Sequence, residues 1–291
     1  MSATAETAPP LIAAPTRPAR RPPRRQLRRW LVAGAAYLVA VIFLLPYLEM
    51  LVMAGRPDNE LGQATILPSH WTFSNFTTLW SASAGDLGGS IVTSLEIAAG
   101  ATALVLLVAL PAAYYTARHR FRGRLAFLLL VLATQMFQPA AMLVGLQREF
   151  SNFSWASPTV SLVIINAGFN MAFAVWILNA FFTSIPVELE EAAMVDGLGK
   201  VGALLRITLP LAAPGLAMSL AVAWARAIGA FGAVVIIAYH PFGIPMQIFT
   251  TLQETGLYTA LPYALVLLVV ALPLPLAAYV WSARAERRRR G

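Results

Sequence analysis

Six stretches of this sequence are each long and apolar enough to cross a bilayer, and that pattern leaves few folds open. A helix needs about 20 mostly apolar residues to span the hydrocarbon core. The stretches run from about Trp30 to Met53, Ile91 to Tyr115, Leu125 to Leu146, Val160 to Phe182, Leu211 to Ala238 and Leu261 to Trp281. Several hold Pro or Gly, which membrane helices tolerate better than soluble ones. Composition agrees: 58% of the 291 residues are hydrophobic and only 12% charged. A soluble domain carries about a quarter charged residues, so a water-soluble enzyme and a disordered chain both fit poorly. The expectation is an all-α, polytopic membrane protein with six transmembrane helices.

The net charge of +8 invites a nucleic-acid reading only until the 21 basic residues are located. Seven arginines precede Trp30. Arg118, Arg120, Arg122 and Arg124 follow the second stretch, Lys200 and Arg206 follow the fourth, and Arg284 with Arg287 to Arg290 close the chain. Cytoplasmic loops carry the excess of Lys and Arg. With both termini cytoplasmic, 18 of the 21 basic residues fall on one side. Arg56 and Arg148 lie in the opposite loops, and Arg226 falls inside the fifth stretch. The partner implied is membrane lipid, not nucleic acid. Residues 1–29 read as a disordered basic tail, 30–53 as the first transmembrane helix, 54–89 as an external loop, 90–281 as the main transmembrane domain and 282–291 as a second basic tail. A secretory signal has an apolar region of about 7–15 residues; the first stretch is longer, although Val52-Met53-Ala54 would pass as a cleavage site. The aromatics between Ile66 and Phe76 suit the membrane interface.

One connection is more than a loop. Between the fourth and fifth stretches, Thr183 to Pro210 opens with Ser184, Pro186 and the acids Glu188, Glu190 and Glu191. A capping Ser, an early Pro and acids at the positive end of the dipole announce a helix start. Gly197 supplies the left-handed residue that ends it. A second short helix, about Lys200 to Arg206, follows, and Leu209-Pro210 turns the chain back into the membrane. Leu189, Ala193, Val195 and Leu204 are apolar positions in this cytoplasmic helix pair. Either the protein's own helix ends cover them or a soluble partner does.

The string Glu191-Ala192-Ala193, three residues, Gly197, nine residues, Ile207, one residue, Leu209-Pro210 resembles the EAA motif of permease subunits of binding-protein-dependent ABC importers. The resemblance implies that Glu191, Ala192, Ala193, Asp196, Gly197, Ile207, Leu209 and Pro210 form a coupling segment seated on an ATPase subunit. It implies two ATPase subunits, a second permease, an external solute-binding protein and a type 1 importer domain over 90–281; the second permease is a different chain or a copy of this one, and the tail before Trp30, without extra helices, favours a heterodimer. ATP would be bound by the partners, with no cofactor in this chain. From about Trp30 to Pro214 the sequence resembles the carbohydrate-uptake branch, related to the smaller permease of the maltose system. The pieces are Leu67-Pro68, Thr72 to Phe76, Leu110 to Tyr114, Phe121 to Gly123, Ala133 to Pro139 and Phe181 to Pro186. A sugar or sugar derivative is the solute this implies. The run Ala225 to Ala233 is instead similar to importers of sulfate- or molybdate-like oxyanions, with Ala230 where those carry an acid, so an oxyanion or other small polar solute is the alternative.

A charged side chain at membrane depth costs about 2.5–3.5 kcal/mol on insertion scales and faces the interior or a cavity. Glu96 in the second stretch and Arg226 in the fifth are the two candidates. They pair with each other, or they line the solute pathway. Gln135 and Gln138, beside Pro139, either hydrogen-bond between helices or contact solute.

Chemistry of other kinds is poorly supported. Cysteine is absent, which removes thiol nucleophiles and zinc-thiolate sites. Gly197-Leu198-Gly199-Lys200-Val201 fails as a phosphate loop, because Met194 stands where the first Gly is needed and Val201 where Ser or Thr is needed. His70, His119 and His240 fall in loops or at helix ends, without metal-ligand spacing. A transport subunit without its own ATPase site is the reading, rather than an enzyme.

Overall fold

The computed structural model describes residues 23–57, 60, 67–80, 86–136, 157–230 and 242–290. Those residues form helices joined by short connections, with no strand among them. Two units are described separately, residues 1–49 and 50–291.

The first unit holds most of helix α1 (Pro23–Ala54), an apolar helix of 32 residues with Pro46 inside it. Tyr37, Leu38, Phe43, Leu44 and Tyr47 are all exposed, so apolar residues face outward around its whole circumference. A helix apolar on every side belongs in lipid or against other helices. It begins at Pro23, seven residues ahead of the expected start at Trp30.

In the second unit, Gly55 and Thr72 join by a backbone bond of 2.9 Å, and the Trp71 ring lies against Gly55. Asn75 donates to the carbonyls of Ala54 and Arg56 at 3.0 and 2.9 Å. Helix α2 (Ser74–Thr77) and a 3₁₀ turn follow. Helix α3 (Leu87–Arg118) starts where Asp86 accepts from the Gly89 N–H at 2.8 Å. Helix α4 (Arg124–Ala133) runs into a 3₁₀ turn ending at Met136. Helix α5 (Pro158–Ser184) starts with Ser157 as cap and Pro158 in its first turn, the pairing that favours a helix N-terminus.

Beyond α5 come helix α6 (Glu188–Val195), helix α7 (Lys200–Ala203), a π turn over Leu204–Thr208 and helix α8 (Leu209–Leu211). Helix α9 (Ala213–Ile228), helix α10 (Ile244–Glu254), helix α11 (Leu257–Ala271) and helix α12 (Pro273–Arg290) complete the order.

Four helical runs among the described residues are long and apolar enough to cross a membrane: Trp30–Ala54, Leu87–Arg118, Pro158–Ser184 and Leu257–Arg284. A fifth is broken, Lys200–Leu211 meeting Ala213–Ile228 at a bend of 76°. Arg124–Met136 is apolar but shorter; the rest of the expected third span, and the end of the expected fifth, lie outside the described residues. The run that answers to the expected sixth stretch begins at Leu257 rather than Leu261, and α12 carries on through the expected basic tail to Arg290.

The core is a seam of small side chains. Ala98, Ala101, Val105, Ala109 and Ala113 of α3 are fully buried, at the three- and four-residue spacing of one helix face. Helix α5 answers with Leu162, Asn166, Asn170, Ala174, Leu178 and Phe182, one buried residue every four. Lipid supplies no hydrophobic drive between helices, so close backbone approach and packing hold them. Helix α9 closes on α5 through Gly215, where an added Cβ would lie 2.4 Å from Cγ of Phe181. Gly215→Ala therefore forces α9 off α5 and costs about 1–3 kcal/mol, read as a lower melting temperature in detergent. Trimming the ring in a Gly215→Ala/Phe181→Leu double variant recovers part of that loss; strictly additive effects would show that the two positions do not meet.

Candidate functional site: the segment from Ile185 to Ala212

Helix α6 ends in a complete Schellman motif. The Gly197 N–H donates to Met194 O at 3.1 Å and the Leu198 N–H to Ala193 O at 3.0 Å, with Gly197 at φ +91°. This is the pattern in which a left-handed residue satisfies the last carbonyls of a helix. A Cβ on Gly197 would meet nothing within 4 Å, so its requirement for glycine is one of backbone, not space. The start differs from the sequence expectation. Ser184 is the last residue of α5, and its hydroxyl bonds back to Phe181 O at 2.7 Å instead of capping α6. Pro186 stands ahead of α6, whose cap position is Val187, without a side-chain bond. Glu188, Glu190 and Glu191 do occupy the first turn.

The three acids have different fates. Glu191 is exposed, whereas Glu190 is buried, with 5% of its surface accessible. Its carboxylate accepts from Tyr114 Oη at 2.8 Å and from Arg118 Nε at 2.9 Å, and also from the Thr208 hydroxyl. Arg118 Nη2 comes within 2.7 Å of the same Oε1, an ion contact without hydrogen-bond alignment. Nη1 of Arg118 donates to Ile185 O at 2.8 Å. One carboxylate thus gathers the end of α3, the α5–α6 connection, α6 itself and the π turn. Burial pushes the Glu190 carboxyl up, but the bonds from Thr208, Tyr114 and Arg118, with the Arg118 charge, outweigh it and hold the group below the usual carboxylate range.

The remaining expected residues scatter around this anchor. Ala193 is buried, Ile207 and Leu209 are half-buried, and Ala192, Asp196, Gly197 and Pro210 are exposed. Of the four apolar positions in question, Ala193 packs inward and Leu204 is half-buried, while Leu189 and Val195 face out at 45% and 87% exposure. Val201 and Leu205 are exposed too. The second helix is longer than the expected Lys200–Arg206, and the chain turns at Ala212, not at Leu209-Pro210. Within it the Leu209 N–H reaches back five residues to Leu204 O, and Pro210, lacking an N–H, cannot restore the four-residue ladder to Arg206.

The expected pathway residues do not come together as a charge pair. Arg226 Nε donates to Asn170 Oδ1 at 2.7 Å, and its guanidinium lies 4.4 Å over the Phe173 ring centre. Glu96 is exposed on α3 and makes no ion pair among the described residues. Gln135 donates to Phe169 O at 2.9 Å, bonding α4 to α5; Gln138 lies outside the described residues.

Residues 106–291 match the model of the binding-protein-dependent transport system inner membrane component family. The chain belongs to that family. This inner membrane component is 31% identical over 193 residues to a diacetylchitobiose uptake system permease protein of Streptomyces coelicolor, a match covering 65% of this chain and 63% of that protein. It is 30% identical over 191 residues to a trehalose/maltose transport system permease protein of Thermococcus litoralis, covering 65% and 68%. A probable molybdenum ABC transporter permease protein of Haloferax volcanii is 30% identical over 249 residues, covering 82% and 86%. The fold is similar to that of a chain in the crystal structure of a bacterial ABC transporter involved in the import of the acidic polysaccharide alginate. That likeness has a TM-score of 0.62 and 21% identity, over 89% of this chain and 98% of the other.

Removing one partner of a buried ion pair strands the other charge at a cost of about 3–5 kcal/mol. Glu190→Ala is therefore expected to loosen the inner membrane component more than Glu191→Ala, by that order, read as thermal stability and protease cleavage between Pro186 and Lys200. Equal effects would deny Glu190 the anchoring role. Because its carboxyl is held low, its contribution is full above the ordinary carboxylate value of 4.5 and is lost only as pH falls through the depressed one. The stability gap between the native chain and Glu190→Gln is thus flat from neutral pH down to about that value.

Proposed function

We propose that this chain is one permease half of an ATP-driven importer, forming the transmembrane pathway for a sugar or sugar derivative delivered by an external binding protein. The observation that carries the reading is the capped, anchored α6 with uncovered Leu189, Val195 and Val201 on its outer side and on α7. A short helix that is fixed inward and apolar outward is built to receive a partner and pass on its motion. Two ATPase subunits are the partners proposed for it, with ATP bound there and not here. Glu191, Ala192, Asp196 and Gly197, all exposed, are the residues assigned to that contact, and the anchor formed by Glu190, Arg118, Tyr114 and Thr208 carries the movement into α3. A second permease, a different chain, completes the pathway. The arginine distribution supports cytoplasmic termini, an external 54–89 loop and a 90–281 importer domain.

The sugar assignment draws on the diacetylchitobiose and trehalose/maltose relatives. The molybdenum relative, matched over more of both chains, supports the oxyanion alternative, and uptake assays with labelled sugars and oxyanions decide between them. Gentle purification of the tagged chain from its native membrane is expected to bring an ATPase subunit and a second permease with it. A chain that comes alone, in detergent shown to preserve such complexes, would remove the basis for the importer reading. In the assembled complex, Gly197→Val places a β-branched residue at positive φ and is expected to uncouple ATP hydrolysis from uptake. Gly197→Asn, which tolerates that backbone region, keeps most of the coupling. Normal uptake in the valine variant would overturn the role given to the turn.

A further inference from the structure

We propose that Arg226 is an anion-binding subsite at mid-membrane and that the transported solute is an acidic sugar whose carboxylate or sulfonate it holds. The inference rests on the importer reading and sharpens its substrate class.

Asn170 lies twelve residues from the start of the 27-residue α5 and fourteen from its end, about 18 and 21 Å at 1.5 Å per residue. The Arg226 side chain bonded to it is therefore deep in the bilayer. Its fixing is unusual for a structural charge. No carboxylate meets it among the described residues; a neutral amide does. That amide is itself immobilised, because Asn170 is buried and its Nδ2 donates to Asn166 O at 2.8 Å, while Asn166 donates to Leu162 O at 3.0 Å. Asn170 takes only Nε, at 2.7 Å, and the Phe173 ring covers one face of the guanidinium.

What remains is the fork. Nη1 and Nη2 make no hydrogen bond among the described residues, and the side chain is exposed on the protein surface. A planar pair of donors matches a carboxylate or sulfonate bidentately. Charged groups at this depth face a cavity or the bundle interior rather than lipid, so the open fork points to the space that a solute crosses. A neutral sugar would leave the positive charge uncompensated there, whereas an anionic one neutralises it.

The absence of cysteine from this chain allows a direct test in the whole purified complex. Val222→Cys puts a thiol on α9 one turn before Arg226, and alkylation by iodoacetamide is followed on this chain by mass spectrometry. Glucuronate at about ten times its dissociation constant is expected to slow alkylation roughly tenfold, with equal glucose and equal inorganic sulfate slowing it far less. Adding Arg226→Gln abolishes the protection, and Arg226→Lys, which keeps the charge without the fork, retains a weaker one. Absence of protection, or protection by glucose as good as by glucuronate, overturns the subsite. Protection by sulfate alone overturns the acidic sugar in favour of a free oxyanion, and protection surviving Arg226→Gln removes Arg226 from it. The readout is binding, so failure here leaves the importer assignment intact, while co-purification tests that assignment separately.

Discussion

A carboxylate removed from water has to be repaid by donors, and the Glu190 carboxylate collects three donors from two distant parts of the chain, the end of α3 and the π turn. Helix α6 has eight residues, well below the length at which an isolated helix holds its shape in water. Its rigidity therefore comes from outside it: from Tyr114 and Arg118 at the end of α3, from Thr208 in the π turn, and from the Gly197 turn that closes its last carbonyls. Because polar contacts fix its inner side, its outer side is free to stay apolar. Val195 at 87% exposure would be a liability on a loose segment and, on an anchored one, suits the partner contact proposed above.

The membrane helices behind this anchor are closely packed. Alanines along α3 and the four-residue stripe on α5 bring the backbones close, Asn179 of α5 donates to the Thr116 hydroxyl of α3 at 2.7 Å, and Trp176 of α5 reaches Leu128 O of α4 at 3.2 Å. Trp224 ties α9 to Ala271 O at the end of α11 at 3.0 Å. Such contacts tolerate little sliding, since small-residue seams interlock over short distances. In the proposed importer a displacement of α6 would thereby reach a stack of helices rather than one.

Much of this was legible in the sequence, for physical reasons that also mark where legibility stops. Apolar length announced helices long enough to cross a membrane, because the bilayer sets that length. Gly197 announced the end of α6, because only a residue at ease with positive φ makes that turn. The choice between Glu190 and Glu191 was not legible: they are adjacent in sequence but about 100° apart around the helix, and only α3 decides which one turns inward. Arg118 is 72 residues from Glu190, and the single local hint was Tyr114 and Arg118 one turn apart at a helix end. Pairing Glu96 with Arg226 followed charge alone, whereas the fold offers Arg226 the neutral Asn170. The break at Ala212 was misplaced because Pro210 reads as a stop, yet a wide helical turn absorbs its missing N–H.

Two polar arrangements, one buried around Glu190 and one exposed around Arg226, stand at two depths of one helix bundle, and they differ in completeness. Around Glu190 the charge is met by an opposite charge, and the carboxylate is filled by its donors. A carboxylate hydrogen-bonded on both oxygens in this way rigidifies what it joins. Around Arg226 the orientation is fixed by Asn170 and Phe173, but no carboxylate among the described residues matches the charge. An arrangement that is oriented yet incomplete gains from a ligand that completes it. In the proposed importer the first is the mechanical joint and the second the place for a passenger. Helix α5 connects them, since its connection to α6 at Ile185 touches the joint through Arg118 and its middle carries Asn170.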